Sequence, residues 1–142
     1  MTKDDIDNKV EVDVGHRVFA SDGHPRFVGE VVRFKGEYLG FYKAEDFLDD
    51  SCLKRTEICY FLYRCPGGYR VRRSELHSRR LTERGSWQRK EAFLSPLPTV
   101  DEEGVGRDEK TPNYGLYTEE KARRAFPRLF SAVGMPNVRD LN

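Results

Sequence analysis

The 142-residue sequence predicts a single α+β domain. An antiparallel meander is expected to form a strongly bent sheet or a small barrel, with a C-terminal amphipathic, proline-kinked helix packed on it. Three observations predict this class. Short β-type runs alternate with turn residues from Val14 onward, two longer β-type runs flank a turn at 65–68, and a helical stripe of apolar residues follows at 122–133.

The first thirteen residues are acidic, with few apolar side chains and no clear period. They predict a flexible acidic tail at 1–13 and place the single domain at 14–142. The N-terminus lacks the apolar segment of a secretory signal, and no apolar run approaches the ~18 residues of a membrane helix. We therefore expect no membrane partner.

The first strands are predicted between residues 14 and 42. Val18–Ala20 and Phe27–Phe34 are β-type runs separated by turn residues. Lys35-Gly36 is predicted to close a tight hairpin onto the run Glu37–Tyr42. Consecutive short strands joined by such small turns make a meander.

The next segment, residues 43–53, is predicted to contain one or two helical turns. Its apolar residues fall at i, i+3, i+4 and i+8, and they are Ala44, Phe47, Leu48 and Cys52. The acidic residues between them are expected on the solvated side.

A hairpin over residues 58–73 is the feature around which the predicted fold is organised. Pro66 presets φ and Gly67 tolerates a positive φ, so the chain is expected to reverse there. Both faces of the outgoing strand are apolar, with Cys59, Phe61 and Tyr63 on one and Ile58, Tyr60 and Leu62 on the other, which predicts cover on both sides. On the return strand, Tyr69 and Val71 predict a core face, while Arg70 and Arg72 predict a wet, basic face.

Residues 74–90 are predicted to be irregular and basic, with a sixth strand near 88–94. A long acidic loop rich in Pro and Gly is predicted at 95–115, and loops of this length in compact domains are usually functional or disordered. Its acids at 101–109 suggest a mask that covers the basic surface until a partner displaces it. A plain solvated loop is the favoured alternative.

The C-terminal helix is predicted to begin at Thr118, whose side chain suits an N-cap. The apolar stripe behind it consists of Ala122, Ala125, Phe126, Leu129, Phe130 and Val133, and Gly134 supplies the stop. Pro127 removes one helical hydrogen bond. The pattern therefore predicts a kink, or a second helix that begins with Pro127 in its first turn.

The cysteines indicate a reduced, cytoplasmic protein. They are Cys52, Cys59 and Cys65, an odd number, and the last two would lie roughly 20 Å apart on one strand at ~3.3 Å per residue, too far for a disulfide. No C-x-x-C motif is present, and His16, His24 and His77 are not at metal-ligand spacing from the cysteines. No metal and no cofactor is predicted.

Charge is distributed unevenly, although the formal net charge is only +1. Residues 54–90 hold eleven Lys or Arg against three Glu, a local net charge of +8. Such a segment attracts anionic partners. We therefore predict a non-enzymatic, regulatory binding protein whose basic strand and loop surface, at about residues 64–90, contacts DNA, RNA or a nucleoprotein.

The predicted contacts are cations that neutralise phosphates and rings that stack on bases. The cations are Arg70, Arg72, Arg79, Arg80, Arg84, Arg89 and Lys90, and the rings are Tyr69 and Trp87. A second basic row on the helix, Lys121, Arg124 and Arg128, either extends this surface or, as is favoured, is the outer face of a packed helix. The alternative function is a protein–protein interaction module, such as an inhibitor, an antitoxin-like partner or an adaptor, that uses the same surface or a sheet edge.

No catalytic residue is predicted. His77 with Cys59 or Cys65 is a conceivable Cys–His pair, but nothing in the sequence brings them together. Potential bases elsewhere are scattered.

The segments Val14–Ala20 and Val28–Val32 resemble the opening of SH3-like barrels of the Tudor and KOW type. The resemblance implies a small SH3-like barrel. It also implies a cage of aromatic side chains that captures methylated Lys or Arg by cation–π attraction. The candidates for such a cage are Phe19, Tyr38, Phe41 and Tyr42, for most of which core packing is the favoured alternative.

Overall fold

The computed structural model describes residues 8–19, 25–49, 54–81, 84–93 and 115–141. They form six strands and two short helices: β1 (Lys9–Phe19), β2 (Pro25–Lys35), β3 (Glu37–Leu48), β4 (Lys54–Cys65), β5 (Gly68–Leu81), β6 (Arg84–Phe93), α1 (Glu119–Ala125) and α2 (Pro127–Ala132). The strands make one antiparallel sheet in the order β2-β1-β6-β5-β4-β3. The predicted α+β class and antiparallel meander are confirmed.

The sheet is strongly bent, because its two edge strands are neighbours in sequence. Only Gly36 separates β2 from β3, so the sheet curls until its edges meet at that residue. The ring of Phe34 on β2 lies 5.3 Å from that of Tyr63 on β4, centroid to centroid. Those strands are four apart in the sheet order, which in a flat sheet would be ~19 Å. The bent sheet is confirmed, and a closed SH3-like barrel is not.

The tight hairpin predicted at Lys35-Gly36 is wrong. β2 pairs with β1 from Lys9↔Lys35 to Phe19↔Pro25, and β3 pairs with β4, so β2 and β3 do not form a hairpin. Sequence proximity favoured the pairing of β2 with β3. The long-range β1–β6 ladder instead places them at opposite edges.

A pair of glycines bends β1 and β2 together. Gly15 and Gly29 are cross-strand partners, and a Cβ on Gly29 would collide with the carbonyl oxygen of Val14. Gly15 has a φ of 141°, which L side chains rarely adopt. The inward positions change at this point: Val12 and Val14 point into the curve before the kink, whereas Arg17 does so after it.

The hairpin predicted at 58–73 is confirmed as β4 and β5, with Gly67 at a φ of 90° in the turn. Its helix-side face carries buried Tyr60, Leu62, Tyr69 and Val71. The opposite, concave face carries buried Tyr63 and Cys65, which cluster with Phe93, Val12 and Val14. Both faces of β4 are therefore covered, as the sequence predicted.

Four predicted boundaries are wrong. Residues 44–48 continue β3 instead of forming helical turns, since pairing with β4 outweighs a short helical period. Residues 74–81 and 84–87, predicted to be irregular, belong to β5 and β6, which pair from Arg72↔Phe93 to Leu81↔Arg84. The sixth strand predicted near 88–94 is confirmed as part of β6. The sheet also starts before Val14, because β1 begins at Lys9. The rest of the acidic tail and nearly all of the loop at 95–115, with the mask proposed at 101–109, lie outside the described residues.

Two short helices close the helix-side face. Thr118 caps α1 by accepting a hydrogen bond from the backbone N–H of Lys121 at 3.2 Å. The helix breaks at Phe126, and Pro127 begins α2, as one of the two predicted outcomes at that proline. Every residue of the stripe from Ala122 to Phe130 is buried. None of the helices in the described ranges has the length and apolar composition to cross a bilayer.

Candidate functional site

The concave face has a packed end and an open end. At the packed end, next to Gly36, the rings of Phe34, Tyr63 and Phe93 meet in edge-to-face contacts with centroids 5.3–6.4 Å apart. Further along β5 and β6, the register places Leu76 opposite Arg89 and Ser78 opposite Trp87. Arg89 is exposed and Trp87 only half-buried here, so this end of the face is open to solvent.

Arg72 belongs to the packed end and is not a wet, basic residue. Its guanidinium stacks over the ring of Phe61 at 4.0 Å, donates to the hydroxyl of Tyr63 at 3.2 Å and to the Glu91 carboxylate at 3.0 Å. Its side chain is 12% exposed. The predicted wet face at Arg70 and Arg72 is therefore wrong: the sheet curls toward this side, so alternation along β5 placed the arginines inside the curve.

Arg70 lies in the same surroundings. Its guanidinium sits over the ring of Phe34, 5.2 Å from the centroid, and beside the buried thiol of Cys65. A cation held against an aromatic face in a half-buried position gains cation–π energy and loses access to solvent. Arg70 and Arg72 thus contribute to the packing of the closed end.

At the open end a cleft of about 300 Å³ is lined by Arg17, Leu76, Ser78, Trp87 and Arg89. A smaller cavity of about 80 Å³ adjoins it, shares Arg17 and Arg89, and is completed by Asp13, Gly15, Phe27 and Glu91. Trp87, the only tryptophan in the chain, is half-buried in the wall. A flat apolar ring beside two guanidinium groups can hold a planar anion by stacking and charge together.

Arg17 and Arg89 are directly opposite each other on β1 and β6. Like charges in that relation repel, because cross-strand Cβ atoms lie only about 5 Å apart. Arg17 is partly compensated by Asp13, whose carboxylate is 3.2 Å away, and by the ring of Phe27 at 4.9 Å. Among the described side chains, Arg89 has no carboxylate partner. An anion bound between the two would relieve the repulsion.

The other half of the open end is electrically balanced. Arg55 donates two hydrogen bonds to Asp46, at 3.0 and 3.1 Å, and lies 3.2 Å from Glu57. Lys43 lies 3.6 Å from Asp46. The hydrogen bond from Arg55 lowers the pKa of the Asp46 carboxyl below its usual value. The uncompensated positive charge is therefore on the β1–β6 side.

The remaining predicted contact residues do not gather at the cleft. Tyr69 is 1% exposed under α2 and donates its hydroxyl to Glu119 at 3.0 Å, so its ring presents no stacking surface. Arg79 and Lys90 are exposed on the helix-side face, where their cross-strand partners are Lys54 and Glu75 respectively. Arg80 and Arg84 have their backbones in β5 and β6, and their side chains lie outside the described residues.

The second basic row, Lys121, Arg124 and Arg128, is exposed on the outside of α1 and α2. Those helices cover the face opposite the cleft. The row therefore does not extend the cleft.

The cysteines and histidines provide no catalytic pair within the described part of the chain. Cys59 and Cys65 are free and buried on the concave face, where burial raises the pKa of both thiols. His77 is on the opposite face, with Glu75 at 2.7 Å and Thr56 at 3.3 Å. No cluster of metal-ligating side chains occurs among the residues that the structure describes.

The aromatic residues suggested by the SH3-like resemblance do not converge. Tyr38 and Phe41 are half-exposed on the concave face, where each ring is tilted against Phe61. Tyr42 pairs with Tyr60 and so points to the helix-side face. The side chain of Phe19 lies outside the described residues. The three described side chains form no cage.

Sequence reasoning identified Trp87 and Arg89 but missed Arg17, Leu76 and Ser78. Arg17 is far in sequence from the basic segment, and the β1–β6 ladder brings it to Arg89. The local signal in the sequence was Gly15, the glycine at which β1 kinks and turns Arg17 inward. Comparison of the chain with family models, curated proteins and solved structures found no match.

Proposed function

We propose that this chain is a non-enzymatic binding protein that holds single-stranded nucleic acid, alone or within a nucleoprotein, in the cleft at the open end of its sheet. One observation carries the proposal: Arg17 and Arg89 face each other across β1 and β6 with Trp87 in the same wall. A phosphate between the two guanidinium groups would neutralise their charge, and a base would stack on the indole ring.

The dimensions of the cleft favour a single strand. A cavity of about 300 Å³ accommodates one unstacked base and its phosphate, whereas a base inside a duplex cannot reach a ring that lines a concave wall. Both DNA and RNA fit this description. The free, buried thiols of Cys59 and Cys65 support a reducing compartment, and we propose the cytoplasm.

Trp87 provides a direct test, since fluorescence from the only tryptophan reports on the cleft itself. Single-stranded and duplex oligonucleotides of DNA and RNA would be titrated at two salt concentrations. We expect single strands to quench the fluorescence, with affinity that falls steeply as salt rises because counterions are released. Absence of salt-dependent binding would contradict the proposal.

Matched variants locate the contact. Arg89→Glu should weaken binding about tenfold or more. It should also reduce the slope of log binding constant against log salt concentration by about one, which corresponds to one lost phosphate contact. Arg124→Glu makes the same charge change on the outside of the helices and should leave affinity nearly unchanged. Equal losses in the two variants would indicate a long-range charge effect and not a site.

A specific observation favours a protein partner as the second candidate. β2 is an edge strand of the described sheet, and its ladder with β1 runs without a bulge from Lys9↔Lys35 to Phe19↔Pro25. Val28 and Val31 on this strand are 77% and 50% exposed. A regular, apolar edge suits addition of an extended segment from another protein. A partner of this kind should be lost on Val28→Lys and retained on Arg89→Glu.

A further inference from the structure

The second half of β3 is exposed to solvent along its whole length. Residues 43–48 are solvent-exposed on both faces, whereas Leu39 and Tyr42 in the first half of the strand pack against the helix-side core. β3 is also an edge strand of that sheet. Its large apolar side chains Phe47 and Leu48 are nevertheless 58% and 51% exposed. An edge of this kind is a template for pairing with another chain.

A β-bulge at Ala44 changes which side chains share a face. The register moves from Lys43↔Cys59 to Glu45↔Ile58, so Ala44 has no partner on β4. Residues three apart normally point to opposite faces of a strand. Here Lys43 and Asp46 both lie on the concave face, as the partners of Cys59 and Glu57.

The bulge makes this segment complementary to itself. Two copies of β3 placed antiparallel, with a twofold axis between Ala44 and Glu45, bring Lys43 opposite Asp46 of the second copy. The same register sets Tyr42 against Phe47 and Phe41 against Leu48. Each of these pairs lies on one face: Tyr42 and Phe47 on the helix side, Phe41 and Leu48 on the concave side. In a strand without the bulge, every pair would fall on opposite faces.

We propose that the edge of β3 is a dimer interface, and that its partner is a second copy of this chain. A twofold axis makes every contact occur twice, so the interface gains two Lys43–Asp46 ion pairs and four apolar pairs along with the backbone ladder. Asp46 retains capacity for this, since a carboxylate accepts about four hydrogen bonds, Arg55 uses two, and Lys43 of the same chain lies at 3.6 Å. The proposal does not depend on the nucleic-acid cleft, which is on β1, β5 and β6.

Sedimentation velocity of the full chain over about a hundredfold range of concentration tests the proposal. We expect a monomer–dimer equilibrium for the natural sequence. In a dimer of the Lys43→Glu variant, each introduced glutamate faces an Asp46. In a dimer of the Asp46→Lys variant, each introduced lysine faces a Lys43. Each variant alone should therefore raise the dimer dissociation constant about tenfold or more. Lys54→Glu, an exposed change on the neighbouring strand, is the control and should dimerise normally.

The decisive arm is a mixture of the Lys43→Glu and Asp46→Lys variants. In a mixed pair, the glutamate introduced at position 43 of one copy faces the lysine introduced at position 46 of the other, and the natural Asp46 faces the natural Lys43. All contacts are again complementary, so a heterodimer should form although each variant alone dimerises weakly. Loss of folding cannot mimic this result, because a misfolded chain would not be rescued by mixing.

Three outcomes would overturn the proposal. The first is a natural chain that stays monomeric throughout, which would leave this edge to a different protein. The second is dimerisation of both single variants as strongly as the natural chain. The third is a mixture that stays monomeric. Arg89→Glu should leave the dimer intact, so failure of the nucleic-acid proposal and failure of this one are separable.

Discussion

The two ends of the concave face lie on one sheet, but one end is packed with side chains and the other is open to solvent. Near Gly36, aromatic rings from β2, β4 and β6 interlock, and Arg72 is enclosed with its carboxylate partner Glu91. At the far end, Arg17 and Arg89 face each other beside Trp87 and a cleft of about 300 Å³. Where the edges of the sheet converge, side chains are forced to pack. Where they diverge, the same alternation leaves charged groups exposed to solvent.

The largest effect that would test this contrast is truncation at the packed end. Phe93 and Trp87 are on the same strand and face, and Phe93 is 8% exposed. Phe93→Ala should lower the free energy of unfolding by about 3–4 kcal/mol, through lost burial and a cavity. Trp87→Ala should lower it by about 1 kcal/mol or less, because its ring is only half-buried. Urea denaturation measures both, and a larger loss at Trp87 would reverse the assignment of the ends.

An intermediate effect is expected from the arginines. Glu91→Ala removes the carboxylate of a mostly buried Arg72 and should cost about 2 kcal/mol. Arg89→Ala should change stability by no more than about 0.5 kcal/mol, and relief of its repulsion with Arg17 acts in the stabilising direction. Equal losses from the two substitutions would mean that the open end is as structural as the packed one.

The smallest expected effect is on pH dependence. Burial raises the pKa of the Cys65 thiol above the value of 9.0 for a free thiol. A raised folded-state pKa contributes stability below the unfolded value, and this contribution is lost as pH rises through the folded value. Stability should therefore decline above pH 9.0 in the natural chain and decline less in Cys65→Ala. Unfolding curves at successive pH values measure this, and identical slopes would contradict it.

Local rules predicted the elements whose partners are near in sequence. The Pro66-Gly67 turn and the apolar alternation on both flanks identified the β4–β5 hairpin, and the stripe from Ala122 to Phe130 identified the helices. At residues 44–48 the same kind of rule fails, because the apolar residues there have a helical period. Pairing with β4 decides that segment instead, and Ala44 is accommodated as a bulge.

The site was harder to predict than the fold, because burial of a charged residue depends on the curvature of the whole sheet. Arg72 and Arg89 are similar in sequence context, and nothing local indicates that Phe61, Tyr63 and Glu91 enclose only the first. Positive charge concentrated in residues 54–90 was a true feature of the sequence. Ion pairs neutralise much of this positive charge, among them Arg64–Glu37, Arg72–Glu91 and Arg73–Glu75.

The single-residue link at Gly36 has a consequence for how the molecule assembles. β1 and β2 form one antiparallel pair and β3 to β6 form a four-strand meander, and each contains only sequence-local pairings among the described strands. Within the described sheet, the β1–β6 ladder from Gly15↔Glu91 to Phe19↔Trp87 is the strand pairing that joins them. We expect this ladder to form late in folding, because its partners are far apart in sequence and its loop-closure entropy is large. Because Arg17, Trp87 and Arg89 belong to that ladder, the cleft comes into existence only when the two units have docked.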